Sequence, residues 1–291
     1  MGWLEGRVAI ITGGARGLGR AHALLFASEG AKVVVNDVGA RPDGSSPQQD
    51  PAQQVVEEIR SLGGEALTNT DDVADWAGAQ RLVQSAIDGF GDLHVLVNNA
   101  GILRDRLIVN MSEEEWDAVV SVHLKGHFLT LRHAAAYWRD RSKEGKRVAA
   151  SVINSSSTSG LFGNPGQGNY GAAKAGIAAL TVIAAEELAR YGVRVNAIAP
   201  TARTRLTETA PGLGEMVAPP ADPGRFDEWD PANVSPLVAW LATEGCVATG
   251  QVFYAFGGTI APMAGWTRTA GITRPDRWTI EDIDSALRPI L

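Results

Sequence analysis

Tyr170 stands four residues before Lys174 in NYGAAKAGIAAL, residues 169–180. On a helix two such side chains share one face, as any i,i+4 pair does, so the spacing alone carries no chemistry. The residue types do. A free phenol has a pKa near 10 and accepts protons poorly at neutral pH, whereas a neighbouring ammonium favours the phenolate. Ser157 lies thirteen residues before Tyr170, in SVINSSSTSG, just past an apolar run. A hydroxyl at that place can hold an alcohol oxygen while the tyrosine takes its proton and hydride leaves the carbinol carbon. Ser155, Ser156 and Ser159 surround it, and spacing alone selects Ser157.

These residues need a scaffold, and the chain reads as one. RVAIIT (7–12), AKVVVND (31–37), HVLVNN (94–99), RVAASVIN (147–154) and VRVNAIA (193–199) are short, β-branched and almost continuously apolar. Such runs suit strands of a parallel sheet covered on both faces. EALTNT (65–70) is a weaker strand and QVFYAF (251–256) a seventh. Helical patterns fall between them, at about 17–28, 51–62, 75–89, 112–140 and 168–190. The alternation predicts a doubly wound α/β fold in one domain over 1–291, with helices on both faces of the sheet. GARPDGSSPQQDP (39–51) reads as a surface loop. Residues 201–233, rich in Pro, Gly and acidic side chains, read either as a lid over a ligand crevice or as an inert excursion. The extension after about 258 carries Trp266 and Trp278 and is expected to pack on something.

TGGARGLG (12–19) closes the first strand and opens the first helix, with glycines at Gly13, Gly17 and Gly19. A glycine turn feeding a helix N-terminus binds the pyrophosphate of a dinucleotide through free N–H groups and the helix dipole. Asp37 ends the second strand, where a carboxylate accepts from ribose hydroxyls and repels a 2′-phosphate. Arg16 argues the opposite way, but close like-charge repulsion outweighs an exposed flexible arginine, and the reading is NAD. Asp72 and Val73 end the third strand within reach of the adenine. Asn99, Ala100 and Gly101 end the fourth, where small residues let a flat ring lie against the backbone. In that setting Lys174 and the positive nicotinamide ring are expected to lower the pKa of Tyr170, and Lys174 to hold the nicotinamide ribose.

Composition excludes other classes. A net charge of −7 and a pI near 5.3 argue against nucleic-acid binding. Cys246 is the only cysteine, which rules out an internal disulfide. The pair His123 and His127 lacks the context of a metal helix, and no metal is expected. No membrane span, signal peptide, myristoylation site or peroxisomal Ser-Lys-Leu end is read, and a cytoplasmic protein is expected.

Together the glycine loop, NNAG, the serine thirteen residues before YxxxK, and the glycine- and proline-containing loop that follows resemble the short-chain dehydrogenase/reductase family from about Arg7 to Gly258. The resemblance implies a Rossmann-type seven-stranded parallel sheet, assembly as dimers or tetramers, and nucleotide contacts at Arg16, Leu18, Asp37, Val73 and the Asn99 turn. VVVNDVG, VVEEIRSLGGEA, NNAGILRDR, VHLKGHF, GLFGNPGQGNYGAAKAG, NAIAPTARTRLTET and VSPLVAWL are similar, more narrowly, to the (3R)-hydroxyacyl-CoA dehydrogenase regions of type 2 peroxisomal multifunctional enzymes, also called type 4 17β-hydroxysteroid dehydrogenases. GWTRTAGITR in the tail has a counterpart there as well. His123 takes the place where most of the broader family has an asparagine that bulges the helix and supports a relay water. It is read as a relay residue or as a satisfied core histidine. No hydratase or sterol-carrier module is read, so one oxidation step is expected.

The substrate implied is an acyl-CoA thioester, fatty or steroidal. Arg104, Arg106, Arg203, Arg205 and Arg268 are candidates for its phosphates, and Leu206, Leu213 and Met216 for covering its apolar part. Two other readings remain open: a dehydrogenase of a free secondary alcohol such as a hydroxysteroid, and a non-catalytic nucleotide-binding protein.

Overall fold

In the computed structural model, residues 2–39, 51–204, 217–222, 224–268 and 271–290 are described. Most of the loop 39–51 and the segment 205–216, with Arg205, Leu206, Leu213 and Met216, lie outside them.

The strands are β1 (Val8–Thr12), β2 (Lys32–Asn36), β3 (Ala66–Asn69), β4 (Val95–Asn98), β5 (Ala150–Ser155), β6 (Val193–Thr201), β7 (Val252–Phe256) and β8 (Thr259–Pro262). They form one sheet in the order β3-β2-β1-β4-β5-β6-β7-β8. All pairings are parallel except β7 with β8. The expected seven parallel strands are therefore corrected to eight, with an antiparallel edge. The cause is local: Phe256 faces Thr259 across Gly257-Gly258, and Gly257 has φ +52°. A two-residue glycine loop turns the chain straight back into a hairpin.

The helices are α1 (Gly17–Ser28), α2 (Pro51–Ser61), α3 (Trp76–Phe90), α4 (Glu113–Val120), α5 (Gly126–Lys143), α6 (Thr158–Phe162), α7 (Gly168–Leu188), α8 (Ser235–Ala242) and α9 (Ile280–Leu287). One core layer joins Ile11, Val33, Val97 and Ile198 to Phe26, Ile59 and Leu237. The other joins Ile10, Leu96, Val152 and Val195 to Leu82, Leu131, Trp138 and Leu188. Strand residues alternate between the layers, so the central strands β1, β2 and β4 are almost wholly apolar and covered on both sides.

The single helix expected over 112–140 is broken by a π-helical turn, Ser121–Lys125, between α4 and α5. A turn of this kind inserts one residue into the ladder and is frequent at functional sites; His123 sits in it. The tail also departs from expectation. Trp266 is fully exposed and α9 buries no residue, although Arg274 stacks on Trp278. Among the described residues no helix is long and apolar enough to cross a membrane.

Candidate active site

The sheet order reverses between β1 and β4, and the candidate residues gather at the carboxyl ends of these strands. Gly13 adopts φ +61°, and a Cβ on Gly19 would fall 2.1 Å from the Gly13 carbonyl oxygen. The turn therefore closes more tightly than any side chain allows. α1 starts at Gly17 with no side-chain cap and no acidic residue in its first turn. Its free N–H groups and positive dipole end suit an anion. Arg16 stands just before it, half-buried, and Leu18 packs against the core. The Asp37 carboxylate accepts from the Ala15 N–H at 3.2 Å and the Gly39 N–H at 2.9 Å, which places it beside the turn. Asp72 is exposed and caps its own turn through the Ala74 N–H at 2.8 Å; Val73 is buried. These residues fit a dinucleotide.

Asn99 and Ala100 are tied to the glycine turn by a residue that spacing did not reveal. The Thr12 hydroxyl accepts from both of their N–H groups, at 2.9 and 3.1 Å. The Asn99 amide in turn donates to the carbonyls of Thr12 and Gly13. A buried chain of polar side chains continues inward: Thr130 donates to Asn98, Asn98 to Asn154, and Asn154 to Thr181. The available signal was polar residues at the ends of otherwise apolar strands.

Ser157, Tyr170 and Lys174 are brought together where β5 meets α6 and α7. Ser157 caps α6, accepting from the Ser159 N–H at 3.2 Å, and its hydroxyl is placed to favour the ionised form of Tyr170. Lys174 is buried; its ammonium donates to the Ser155 carbonyl at 2.5 Å and lies 5.5 Å from the centre of the Tyr170 ring. Burial lowers the Lys174 pKa to about 7. Burial holds Tyr170 above its ordinary value; the Ser157 hydroxyl opposes this and the Asp105 charge adds to it. The lysine faces the ring and bonds a carbonyl.

His123 is buried with its ring edge-on to Tyr170, centroids 5.1 Å apart. Its Nε2 lies 2.8 Å from the Ile102 carbonyl oxygen and 3.1 Å from the Ile102 N–H, and the shorter contact assigns it the ring proton. Nδ1 has no partner among the described residues. Burial, and then the Lys174 charge, depress its pKa to about 3, so the ring is neutral. A Cβ on Gly101 would fall 2.2 Å from His123 Cε1; only glycine lets the β4 turn approach this ring.

The rim arginines divide. Arg106 pairs with Glu115 at 2.8 Å, and Arg203 with Asp227 and the Val217 carbonyl. Both make ion pairs within the chain, the Arg106 one exposed. Arg203 instead ties the end of β6 to the segment 217–227. Arg104 and Arg268 are exposed.

Comparison with known proteins agrees with this geometry. The chain is 48% identical over 257 residues to the hydroxyacyl-CoA dehydrogenase ChsB1 of Mycobacterium tuberculosis, covering 87% of this chain and 78% of that one. It is 42% identical to the peroxisomal multifunctional enzyme type 2 of Drosophila melanogaster, covering 93% of this chain and 41% of that longer protein. The crystal structure of a short chain dehydrogenase from Mycobacterium avium superposes with a TM-score of 0.89 at 53% identity, covering 99% of this chain and 95% of that one. The family model described as short chain dehydrogenase matches residues 7–215. With a glycine turn, an Asn-Asn-Ala-Gly strand end and a Ser–Tyr–Lys cluster in one crevice, the chain is an oxidoreductase and belongs to the short-chain dehydrogenase/reductase family.

Proposed function

We propose that the protein oxidises the 3-hydroxyl of a (3R)-3-hydroxyacyl-CoA to the 3-oxo thioester, with NAD as the hydride acceptor, in β-oxidation of a fatty acyl chain or steroid side chain. The observation that carries this reading is the Ser157 hydroxyl set beside Tyr170, with Lys174 buried behind it at the carboxyl edge of the sheet. The uncapped start of α1 and the Asp37 carboxylate support the cofactor half: the first suits pyrophosphate, the second ribose hydroxyls rather than a 2′-phosphate. The likeness to the mycobacterial hydroxyacyl-CoA dehydrogenase supports the substrate half.

Bound nicotinamide supplies the hydride acceptor and a positive charge close to the phenol. The protein's own groups handle the proton. Ser157 holds the substrate oxygen, and the proton of the 3-hydroxyl passes to Tyr170 in the phenolate form that the nearby positive charge favours, as the C3–H bond breaks and its hydride leaves. Lys174 holds the ribose side of the cofactor, and His123 braces the Gly101–Ile102 turn against the tyrosine. Assembly as a homodimer or homotetramer belongs to the same proposal. A groove between α5 and α7, with Phe128, Leu180 and Ile183 beside Arg139, Glu186 and Glu187, supports it.

Initial rates of NAD reduction test the proposal, comparing a (3R)-3-hydroxyacyl-CoA with its (3S) epimer and with a free hydroxysteroid. A strong preference for the (3R) thioester is expected. Turnover of the free steroid alone would keep the Tyr170 chemistry and reject the thioester.

A further inference from the structure

α7 begins with an unusual arrangement. Its N-terminus lacks a side-chain cap from the preceding residue, so the first-turn N–H groups need other acceptors. Asn169, fully buried, supplies one: its Oδ1 accepts from the N–H of Tyr170 at 2.7 Å. The same amide donates both Nδ2 hydrogens outward, to the carbonyls of Arg104 and Glu115, each at 3.0 Å. One side chain therefore joins the start of α7, the loop after β4 and the first turn of α4.

Neighbouring residues repeat the pattern. The Gln167 amide donates to the Asp105 carboxylate at 2.8 Å and accepts from the Ser159 hydroxyl at 2.8 Å and the Asn164 amide at 2.9 Å. The Arg106 N–H donates to the Gly166 carbonyl at 2.7 Å. Three consecutive residues of the loop, Arg104, Asp105 and Arg106, are thus each held by the segment that enters α7. Through Ser159 the same network reaches the turn that carries Ser157.

We propose that Asn169 is a positioning residue for Tyr170, and that with Gln167 it clamps the loop after β4 onto the first turn of α7. The clamp keeps the phenol hydroxyl at a fixed distance from Ser157 and from the floor of the crevice. A hydride transfer demands this placement, since a misplacement of about 1 Å costs on the order of a hundredfold in rate. It also keeps water from the ring. Tyr170 faces Lys174 on its own helix, His123 on the π-helical turn and Asp105 on the clamped loop. Burial among them holds its pKa up.

The test is Asn169→Ala in the full chain, read in two ways. Ultraviolet difference titration of the phenols, with Tyr170→Phe as the blank, follows Tyr170 with no substrate present. Tyr170 is expected to ionise at lower pH in the variant as water reaches it. Steady-state rates with the (3R)-3-hydroxyacyl-CoA are expected to show kcat lowered at least about tenfold, with NAD affinity by fluorescence titration unchanged within about twofold. Gln167→Ala, which leaves Asn169 in place, is the second variant should the first not fold, and smaller shifts in the same directions are expected. Unchanged Tyr170 titration and unchanged kcat in a folded variant overturn the proposal, as does a loss of NAD affinity in proportion to kcat, which would mark a general collapse of the site. Only the choice of substrate rests on the proposed function. If the parent chain turns over no thioester, that reading fails while the titration still decides the clamp.

Discussion

Replacing Lys174 by methionine keeps the length of the side chain and removes its charge, which makes it a direct test of how the site treats a buried ammonium. In the folded chain burial lowers the lysine pKa to about 7, against 10.5 when free. At ~1.4 kcal/mol per pH unit that difference amounts to ~5 kcal/mol between the two protonation states. The hydrogen bond to the Ser155 carbonyl favours the charged form and opposes burial, and water entry into the crevice opposes it further, so about half is expected to be measurable. The folded pKa lies below the unfolded one. Between the two the unfolded chain keeps the proton and the folded chain releases it. Folding is therefore favoured progressively as pH rises from about 7 toward about 10.5. The assay is urea unfolding of the parent and Lys174→Met chains at steps from about pH 6 to about pH 10. Every other titrating group is common to both and cancels. The stability of the parent relative to the variant should be flat below about pH 7 and rise by ~2–3 kcal/mol by about pH 10. Curves that stay parallel across the range would refute the reasoning, because Lys174 would then hold its proton in the folded chain and its carbonyl bond would fully compensate for burial.

Tyr170→Phe should lower kcat by ~10³-fold, the usual worth of a positioned proton acceptor, while the NAD dissociation constant changes less than about twofold; equal loss of both would indicate a folding role. Asp37→Ala should narrow the ratio of kcat/KM for NAD over NADP by ~10-fold, since it removes ~1.4 kcal/mol of like-charge repulsion; an unchanged ratio would remove the carboxylate argument. Gly101→Ala places a Cβ 2.2 Å from the His123 ring. Overpacking of that kind costs ~1–3 kcal/mol, so thermal unfolding should come several degrees earlier, and an unshifted Tm would show that the ring yields freely.

Much of this protein was legible in its residues. Near-continuous apolar runs such as VAIIT and KVVVN, alternating with helical patterns, specify a parallel sheet, because a strand buried on both faces has no polar side to show. The glycine turn was readable because its conformation excludes side chains, and the Tyr170–Lys174 pair because helical spacing puts both on one face. All three are signals within a few residues of chain. Asn169 beside Tyr170 carries no such signal, since its partners, Arg104 and Glu115, lie 65 and 54 residues away. Arg106 and Arg203 read as free cations until packing set Glu115 and Asp227 against them. The tyrosine went the same way. Sequence placed a lysine near it; only the folded chain shows that lysine bonded to the Ser155 carbonyl and the phenol's pKa raised by burial. Periodicity and backbone restrictions act locally and are written in the sequence; hydrogen-bond partners and desolvation depend on which distant atoms the fold brings together, and only the tertiary structure decided them.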